Sequence, residues 1–555
     1  MAAIWVPQAV TIGTSAAGRH ADGAQALHPS RRPSIPGAPQ SVAEVLAPAL
    51  AAAPDADALV GRHGRFTYLQ LDDAVARAAH ALHSLGVASG DRVALCLPND
   101  VDAVVAFLAI MRLGAVWVGV HRVLAPAEKA YLLRDSGASV LLADRPAAGE
   151  VATMRRNHAD ELPDLRRVVL VEPGAADSEW HEMTTAADAC FEAGLADPFA
   201  PAAIAYTSGT TGQPKGVVHS QHNLILPGAV LVARGSFTAD EPHGAVHPLT
   251  ILNQLVLIVL VALQARAKCV VIDRPNPATI AEWVASEQVA TLSMVPTVFH
   301  DLLTDPEVNP GDLASVTKPR SGGSYPPEKL RALFEERFGM RITSSFGLTE
   351  APTIVSREEP DDGYLEGCLG RELPQVHISI RDDDGAELPP GGIGEICVGP
   401  ADDGPWAGVY TPMLGYWGMP AETDHALRNG VLHTGDIGRL DEEARLFLVD
   451  RKSSLIIRGG SNIYPAEIER VLQRDPSVAD CAVVPRPDDR LGETTVAFVE
   501  LKPGAAPDAE ALWQLCRDSL ARYKVPDEIR FVKVLPRGAL GKIARNRLAQ
   551  LAAGK

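Results

Sequence analysis

Apolar and polar residues follow two different periods in the first part of the chain. The segment FTYLQLDDAVARAAHALHSLG at 66–86 has apolar side chains at helical spacing and stops at Gly86. The runs RVALCLP at 92–98 and VWVGV at 116–120 are short and almost entirely apolar, which is typical of buried strands. Between them, VDAVVAFLAIMRLGA at 101–115 predicts a second helix. Because strands and helices alternate, we predict a parallel sheet covered by helices.

A second unit is predicted near the C-terminus. The segment PAEIERVLQRD at 465–475 begins a helix with proline in its first turn, and strand-like runs, a helix at 507–526 and a final helix follow. A segment of this length with its own apolar residues can form a small α+β domain. We therefore predict an α/β protein with a loose N-terminal tail at 1–40, a large domain of layered sheets and helices at 41–450, and a small domain at 451–555.

Composition excludes several function classes. The chain has 555 residues and a net charge of −18 at pH 7, so a nucleic-acid-binding surface is not expected. The seven cysteines are scattered, which indicates reduced thiols in a cytoplasmic protein. The longest apolar run, 255–263, is too short for a transmembrane segment, which takes about 20 residues. Residues 1–40 lack the apolar core of a signal peptide, and a transit peptide is the open alternative.

The most informative segment is YTSGTTGQPKG at 206–216, where hydroxyl groups and one lysine surround three glycines that permit unusual backbone conformations. Such a loop can wrap a polyphosphate with amide N–H groups, hydroxyls and an ammonium group. Its spacing is not that of a Walker A loop, in which Ser or Thr follows the lysine directly. Strand-like residues flank it on both sides, which predicts a strand–loop–strand phosphate clamp. Its predicted members are Thr207, Ser208, Gly209, Thr210, Thr211, Gly212 and Lys215.

Four further segments accompany this loop. They are SSFGLTE at 344–350, HTGDIG at 433–438 with an aspartate in a predicted tight turn, DRKSSLIIRGGSNIYPAEIE at 450–469, and PRGALGKIARNRL at 536–548. In this order the five motifs resemble the signature motifs of the adenylate-forming superfamily, which includes acyl-CoA synthetases, aryl-CoA ligases and nonribosomal adenylation domains. The resemblance covers roughly residues 41–555. It implies that ATP converts a carboxylic acid to acyl-AMP and pyrophosphate, and that the acyl group then passes to a thiol.

The resemblance implies a role for each motif residue. The loop at 207–215 would hold the β- and γ-phosphates, and Thr349 would bond the α-phosphate. Glu350 would hold Mg²⁺, a hard cation that prefers carboxylate oxygen. Lys542 would bridge the attacking carboxylate and the α-phosphate as charge develops. The implied contacts to ribose and adenine are Asp436, Arg451, Phe346 and the backbone of Gly322, Gly323 and Ser324.

Each of these assignments has a structural alternative. Glu350 could be a solvated surface acid, and Asp436 could cap a turn, as aspartate often does. Arg451 could form a salt bridge at the domain boundary, and Lys542 could be an exposed lysine before a helix. The sequence alone leaves these alternatives open.

The segment after Arg451 departs from the family's pattern. The family usually has a lysine two positions after this arginine, where this chain has Ser453. The resemblance makes this segment the hinge of a mobile C-terminal domain, and serine can serve there because a hinge needs backbone freedom. Gly459 and Gly460 would line the route of the pantetheine arm of coenzyme A.

The segment HPLTILNQLVLIVL at 247–260 is expected to line the acid pocket. Ile251 and Asn253 stand where the family usually has a histidine or aromatic pair, and Leu255 continues an aliphatic wall. Such a wall favours an apolar acid over an amino acid, whose ammonium group would need an aspartate. The alternative is that most of 255–263 is a core helix that never meets the substrate.

We expect an ATP-dependent acyl-CoA ligase acting on a fatty, alicyclic or aromatic acid, with ATP, Mg²⁺ and coenzyme A as cofactors. One alternative is a fatty acyl-AMP ligase that loads a carrier-protein thiol, and a more distant one is an inactive nucleotide-binding relative. The expected partners are the small-molecule acid, ATP and CoA, with no nucleic acid and no membrane segment. A homodimer is a further expectation.

Overall fold

The computed structural model divides into two compact units. The larger comprises Met1–Ile378 with Cys397–Thr434, and the smaller comprises Ser379–Ile396 with Gly435–Lys555. The predicted boundary between residues 450 and 451 stays a prediction. The structure describes these residues: 8–9, 27–28, 32–157, 162–175, 178–189, 191, 194, 196–207, 213–322, 325–359, 363, 365–451, 455–458, 461–488, 491–538 and 543–554.

The helices are numbered along the chain. Their bounds are α1 Ala47–Ala52, α2 Tyr68–Ser84, α3 Val101–Arg112, α4 Pro126–Ser136, α5 Arg145–Asn157, α6 Glu179–Ala186, α7 Gln221–Ala233, α8 Leu252–Gln254, α9 Val261–Ala265, α10 Pro277–Glu287, α11 Pro296–Thr304, α12 Glu328–Phe338, α13 Pro420–Ala426, α14 Pro465–Leu472, α15 Ala509–Ser519 and α16 Arg545–Ala552. A π-helical segment, Leu255–Leu260, joins α8 to α9. Within the described part of the chain, no helix combines the length and the apolar character that a bilayer span requires.

The strands are numbered in the same way. Their bounds are β1 Gln8–Ala9, β2 Leu27–His28, β3 Asp57–Gly61, β4 Gly64–Thr67, β5 Arg92–Cys96, β6 Val116–Gly119, β7 Val140–Ala143, β8 Arg167–Leu170, β9 Pro201–Thr207, β10 Lys215–Ser220, β11 His243–Ala245, β12 Cys269–Val271, β13 Thr291–Met294, β14 Lys318–Ser321, β15 Thr343–Leu348, β16 Thr353–Arg357, β17 Arg371–Glu372, β18 Val376–Arg381, β19 Gly394–Pro400, β20 Gly415–Tyr416, β21 Leu427–Arg428, β22 Val431–Leu440, β23 Leu446–Arg451, β24 Ile456–Arg458, β25 Ser461–Ile463, β26 Val478–Asp488, β27 Gly492–Leu501 and β28 Glu528–Val532. The pair β1–β2 is antiparallel and stands apart from the main sheets.

The larger unit contains two sheets with parallel centres. The first has the strand order β20-β10-β9-β6-β5-β7-β8, and β10 pairs antiparallel with both β20 and β9. The second has the order β17-β16-β15-β14-β13-β11-β12-β3-β4, and it is parallel from β15 to β3. Helices bury the apolar faces of both sheets, which is the packing that parallel strands require.

The smaller unit has its own sheet and core. Strands β25, β24, β27 and β26 are neighbours in that order, and β28 pairs in parallel with β27. One apolar cluster packs on each face of this sheet, the first with α14 and α15 and the second with α16. This arrangement is the small α+β domain that the sequence predicts.

The predicted elements of the larger unit are confirmed. Helices α2 and α3 lie within 66–86 and 101–115, and strands β5 and β6 lie within 92–98 and 116–120. Helix α2 begins at a capping box in which Thr67 and Gln70 satisfy each other's backbone N–H groups. The fold class, α/β with a large and a small domain, is therefore confirmed.

One asparagine joins the ends of strands from both sheets of the larger unit. Asn99, which follows β5, donates from Nδ2 to the carbonyls of His247 at 2.9 Å and Ile272 at 3.2 Å. Its Oδ1 accepts the Leu249 N–H at 2.9 Å. The acceptors follow β11 and β12, so this amide holds the segment that leads to Ile251.

Replacing Asn99 with alanine is expected to lower the free energy of unfolding by about 1–3 kcal/mol, because partly buried carbonyl and N–H groups lose their partner. Asn546→Ala, at an exposed position on α16, removes the same side chain and serves as the control. Denaturant unfolding of both variants measures the difference. Equal midpoints for the two variants would contradict the structural role of Asn99.

Candidate active site

The phosphate loop joins two antiparallel strands. Strands β9 and β10 pair with Thr207 opposite Lys215 and Tyr206 opposite Gly216. The predicted strand–loop–strand arrangement is therefore confirmed, and Thr207 and Lys215 stand at the two ends of the loop. The loop members Ser208, Gly209, Thr210, Thr211 and Gly212 lie outside the described residues.

Side chains from distant segments hold both strands at the mouth of the loop. Tyr206 donates its hydroxyl to Asp135 Oδ2 at 2.6 Å, and Tyr131 donates to the Pro214 carbonyl at 3.1 Å. Trp417 donates its indole N–H to the Asp135 carbonyl at 3.0 Å and its backbone N–H to Gly216 at 2.7 Å. Burial, and after it the neighbouring Asp135 carboxylate, raises the pKa of Tyr206 well above its usual value, so this hydroxyl stays a donor.

One tyrosine links the loop lysine to the predicted metal ligand. The Lys215 ammonium lies 5.1 Å from the centre of the Tyr416 ring, within cation–π range. The Tyr416 hydroxyl donates to Glu350 Oε1 at 3.0 Å. Lys215 and Glu350 are far apart in sequence, but Lys215 lies beside the ring of Tyr416 and Glu350 accepts a hydrogen bond from its hydroxyl. Sequence reasoning missed Tyr416, because its role depends on the pairing of β20 with β10.

Thr349 and Glu350 lie in a tight turn between β15 and β16. Backbone crowding fixes this turn, since a Cβ added to Gly347 would lie 1.5 Å from the Thr353 carbonyl oxygen. Thr353 itself has φ 89°, a conformation that costs a β-branched residue about 1–3 kcal/mol. The Met413 N–H also donates to the Glu350 carbonyl at 2.9 Å. The surrounding contacts therefore stabilise the turn in spite of the backbone strain at Thr353.

A buried histidine connects β10 to the same turn. His219 is fully buried, and its Nε2 donates to the Thr349 carbonyl at 2.7 Å. Burial lowers the pKa of His219 to about 4, so the imidazole is neutral at pH 7. His222 is also buried and donates from Nε2 to the Val409 carbonyl at 2.9 Å. Both histidines orient backbone rather than transfer protons.

The predicted adenine contacts follow β14 and β15. Gly322 comes directly after β14, and its N–H donates to the Met294 carbonyl at 3.2 Å. Phe346 lies in β15, opposite Ser356, and is buried. Gly323 and Ser324 lie outside the described residues. The two described members lie on neighbouring strands at the carboxyl edge of the second sheet.

The predicted acid pocket falls at the start of the π-helical segment. Ile251 and Asn253 are partly exposed, whereas Leu255 is 1% exposed and packs in the core. Apart from the partly exposed Leu257, residues 255–263 are all buried. This burial supports the alternative that most of the apolar run forms the core. A π-helical turn widens the helix locally and often marks a functional site.

Two predicted site residues of the smaller unit face each other in a strand pair. Asp436 of β22 is the Cα partner of Arg451 of β23, and the Asp436 side chain is 3% exposed. The prediction that Asp436 lies in a tight turn is wrong: β22 is a continuous ten-residue strand. Gly435, directly before Asp436, has φ 71°, a backbone conformation that glycine adopts readily.

The C-terminal loop is closed by described residues on both sides. Arg537 and Ile543 form an isolated antiparallel bridge. Arg545 then makes a bidentate ion pair with Glu469, at 2.6 and 2.7 Å. Lys542 itself lies outside the described residues. The other predicted positions outside them are Ser453, Gly459 and Gly460.

The fold and the site indicate a nucleotide-binding enzyme, and the segment at 207–215 is its candidate phosphate clamp. Two family models agree with this class. Residues 46–417 match the model described as AMP-binding enzyme, and residues 467–542 match the AMP-binding enzyme C-terminal domain. The chain therefore belongs to the AMP-binding enzyme family, and its resemblance to the adenylate-forming superfamily is confirmed.

This chain is similar to several relatives over nearly the whole length of each relative. A 3-[(3aS,4S,7aS)-7a-methyl-1,5-dioxo-octahydro-1H-inden-4-yl]propanoyl:CoA ligase of Mycobacterium tuberculosis is 34% identical, over 90% of this chain and 96% of its own. A fatty acid–[acyl-carrier-protein] ligase of Streptomyces coeruleorubidus is 32% identical, over 87% and 91%. The structure of an anthranilate CoA ligase in complex with anthranoyl-AMP has a TM-score of 0.82 at 25% identity, covering 93% of this chain and 98% of that one.

Replacing Tyr416 with phenylalanine is expected to lower kcat/KM for Mg²⁺-ATP about tenfold or more. The substitution keeps the ring beside Lys215 and removes the hydrogen bond to Glu350, and a bond to a charged group contributes about 1.5–3 kcal/mol. Pyrophosphate release at varied Mg²⁺-ATP concentration measures the change. Tyr410→Phe is the matched control, because the buried Tyr410 hydroxyl has no partner among the described residues. Equal kinetics for both variants would show that Tyr416 does not position Glu350.

Proposed function

We propose that this protein is an ATP-dependent acyl-CoA ligase. It joins a carboxylic acid to ATP, releases pyrophosphate, and transfers the acyl group from acyl-AMP to the thiol of coenzyme A. The observation that carries the proposal is the connected set Lys215, Tyr416 and Glu350, which places a cation and a carboxylate around the loop mouth. The family and the names of the relatives support the same reaction.

The two half-reactions need positioning more than acid–base chemistry. An acid carboxylate is already ionised at pH 7, so it attacks the α-phosphorus directly and the bond to pyrophosphate breaks. Lys215 and the loop bind the leaving phosphates, Thr349 bonds the α-phosphate, and Lys542 approaches the reacting oxygens. In the second step the CoA thiolate attacks the acyl carbonyl and AMP leaves.

The carboxylate of Glu350 is suited to coordinate Mg²⁺. Its carboxylate is partly buried, and only Oε1 is engaged by a described residue, the Tyr416 hydroxyl. A hard cation prefers such an oxygen together with phosphate oxygens and water. When bound, Mg²⁺ would neutralise phosphate charge. Asp436 and Arg451 are proposed to bind the ribose, and Phe346 and Gly322 to contact adenine.

The proposed substrate is an apolar acid with an alicyclic, aromatic or aliphatic body. The partly exposed Ile251 and Asn253 supply no cation or anion to the predicted pocket wall. The relatives' names, an indene-propanoate and an anthranilate ligase, fit a cyclic acid of this kind. The reaction takes ATP and CoA, so a cytoplasmic location is part of the proposal. The homodimer remains a prediction.

The proposal is tested by pyrophosphate release with Mg²⁺-ATP against a panel of aliphatic, alicyclic and aromatic acids, with and without CoA. We expect multiple turnovers only with CoA, together with the acyl-CoA product by mass spectrometry. If none of these acids led to pyrophosphate release, the result would contradict the proposal.

A carrier-protein acceptor is the second candidate, because one relative is a fatty acid–[acyl-carrier-protein] ligase. The same assay separates the two functions. A single-turnover burst that CoA leaves unchanged, followed by discharge of acyl-AMP to a holo carrier protein, would favour this candidate.

Lys542→Ala is expected to slow acyl-AMP formation by about a hundredfold or more, on the scale of losing a preorganised charge in the transition state. Thiol transfer from supplied acyl-AMP should change much less. Lys533→Ala, at an exposed position in the same unit, is the control and should leave both steps unchanged. Equal losses in the two half-reactions would show that Lys542 does not act in adenylation.

A further inference from the structure

Two short strands of the smaller unit flank the predicted coenzyme A glycines. Strands β24 and β25 pair antiparallel, with Arg458 opposite Ser461. Gly459 and Gly460 are the two residues between these partners in the sequence, and they lie outside the described residues. The contacts that hold Arg458 and Ser461 therefore set where the chain enters and leaves the two glycines.

The two ends of this strand pair are anchored differently. At one end, Ile456 and Ile463 are fully buried in the apolar cluster with α14 and α15. Toward the glycines, Arg458 and Gly492 form the one Cα pair that joins β24 to β27 among the described residues. Backbone pairing to the rest of the sheet therefore gives the glycine end little support.

The side chain of Arg458 adds two contacts at the glycine end. Its Nη2 donates to Asp527 Oδ1 at 2.5 Å, and its Nη1 donates to the Tyr523 carbonyl at 3.4 Å. The side chains of Arg458 and Asp527 are 23% and 20% exposed, so water screens this ion pair only in part. A hydrogen bond between two charged groups is also stronger than one between neutral groups. Arg458 therefore links β24 to a segment more than 60 residues away in the sequence.

Asp527 is held in place independently of Arg458. Its Oδ2 accepts hydrogen bonds from the N–H of Thr495 at 2.9 Å and from the hydroxyl of Thr495 at 3.0 Å. Thr495 lies in β27 and is fully buried. The N–H of Asp527 donates to the Thr495 carbonyl at 3.0 Å. The carboxylate is therefore a fixed acceptor, attached to the central strand of the sheet.

The segment that contains Tyr523 and Asp527 also contacts the helix that follows β25. Lys524 Nζ donates to Glu467 Oε2 at 2.6 Å, and Glu467 lies in the first turn of α14. This segment therefore contacts the strand before the two glycines through Arg458 and the helix after them through Lys524.

We propose that Arg458 is a positioning residue for the transfer of the acyl group to the thiol. It holds the glycine end of β24 and β25 against Asp527 and Tyr523, and so places the predicted route of the pantetheine arm. A thiolate must meet the acyl carbonyl at a short distance and in the right orientation, whereas the attack of the acid on ATP does not involve coenzyme A. This inference rests on the proposed function.

The test measures the two half-reactions of Arg458→Met separately, with the acid of the panel that the wild type turns over fastest. Single-turnover formation of acyl-AMP should stay within about twofold of the wild-type rate. Transfer from the corresponding supplied acyl-AMP to CoA should slow by about tenfold or more, because a reactant displaced by ~1 Å reacts much more slowly.

Pantetheine in place of CoA shows which part of the acceptor the effect concerns. Pantetheine has the same thiol arm and lacks the nucleotide, so Arg458→Met should slow its acylation by the same factor. A loss confined to CoA would mean that Arg458 binds the nucleotide part instead, and it would overturn the positioning role.

Two further variants separate positioning from stability. Arg458→Lys keeps a cation opposite Asp527 and should show a smaller loss in the same half-reaction. Arg517→Met removes an exposed ion pair with Glu510 in the same unit and should leave both half-reactions unchanged. Equal losses in both half-reactions of the two Arg458 variants, or an unchanged transfer rate, would overturn the inference while the proposed function stands. If the wild type formed acyl-AMP from none of the acids, the proposed function would be contradicted and the inference with it.

Discussion

Strand β10 is the constraint on which the site in the larger unit depends. Its first residue, Lys215, stands at the mouth of the phosphate loop, and its backbone accepts hydrogen bonds from Trp417 and Leu414. Near its end, His219 donates to the carbonyl of Thr349, in the turn that also carries Glu350. One short strand therefore connects Lys215, at the end of the phosphate loop, to the predicted metal-binding turn.

The polar residues that follow β10 extend this constraint into the core. Gln221 donates to the Met111 carbonyl, His222 to Val409, and Asn223 to Thr411. All three are buried at the start of α7, which stays buried to Leu231. Each buried polar side chain has an acceptor far away in sequence, so the run is satisfied without solvent. A helix that begins in this way cannot shift without breaking contacts to two other segments, one at Met111 and one at Val409 and Thr411.

The sequence predicts those helices, strands and loops that the local pattern of residues determines. Helices α2 and α3 follow from periodicity and Gly stops, and the strand–loop–strand clamp follows from strand-like runs on both sides of the loop. The segment HTGDIG predicts a tight turn at Asp436, yet sheet pairing continues through this residue. Tyr416 carries no local signal. Its importance comes from a partner more than 60 residues away in the sequence, and that contact depends on tertiary packing.

The coupling of the loop to the turn is tested most directly by single-turnover acyl-AMP formation in two variants of His219. His219→Leu removes the donor to Thr349, whereas His219→Gln keeps an N–H that can replace Nε2. We predict that the leucine variant forms acyl-AMP more slowly, on the order of tenfold, with little change in Mg²⁺-ATP affinity. The glutamine variant should keep most of the rate. A wild-type rate in His219→Leu would contradict the claim that β10 positions the Thr349–Glu350 turn.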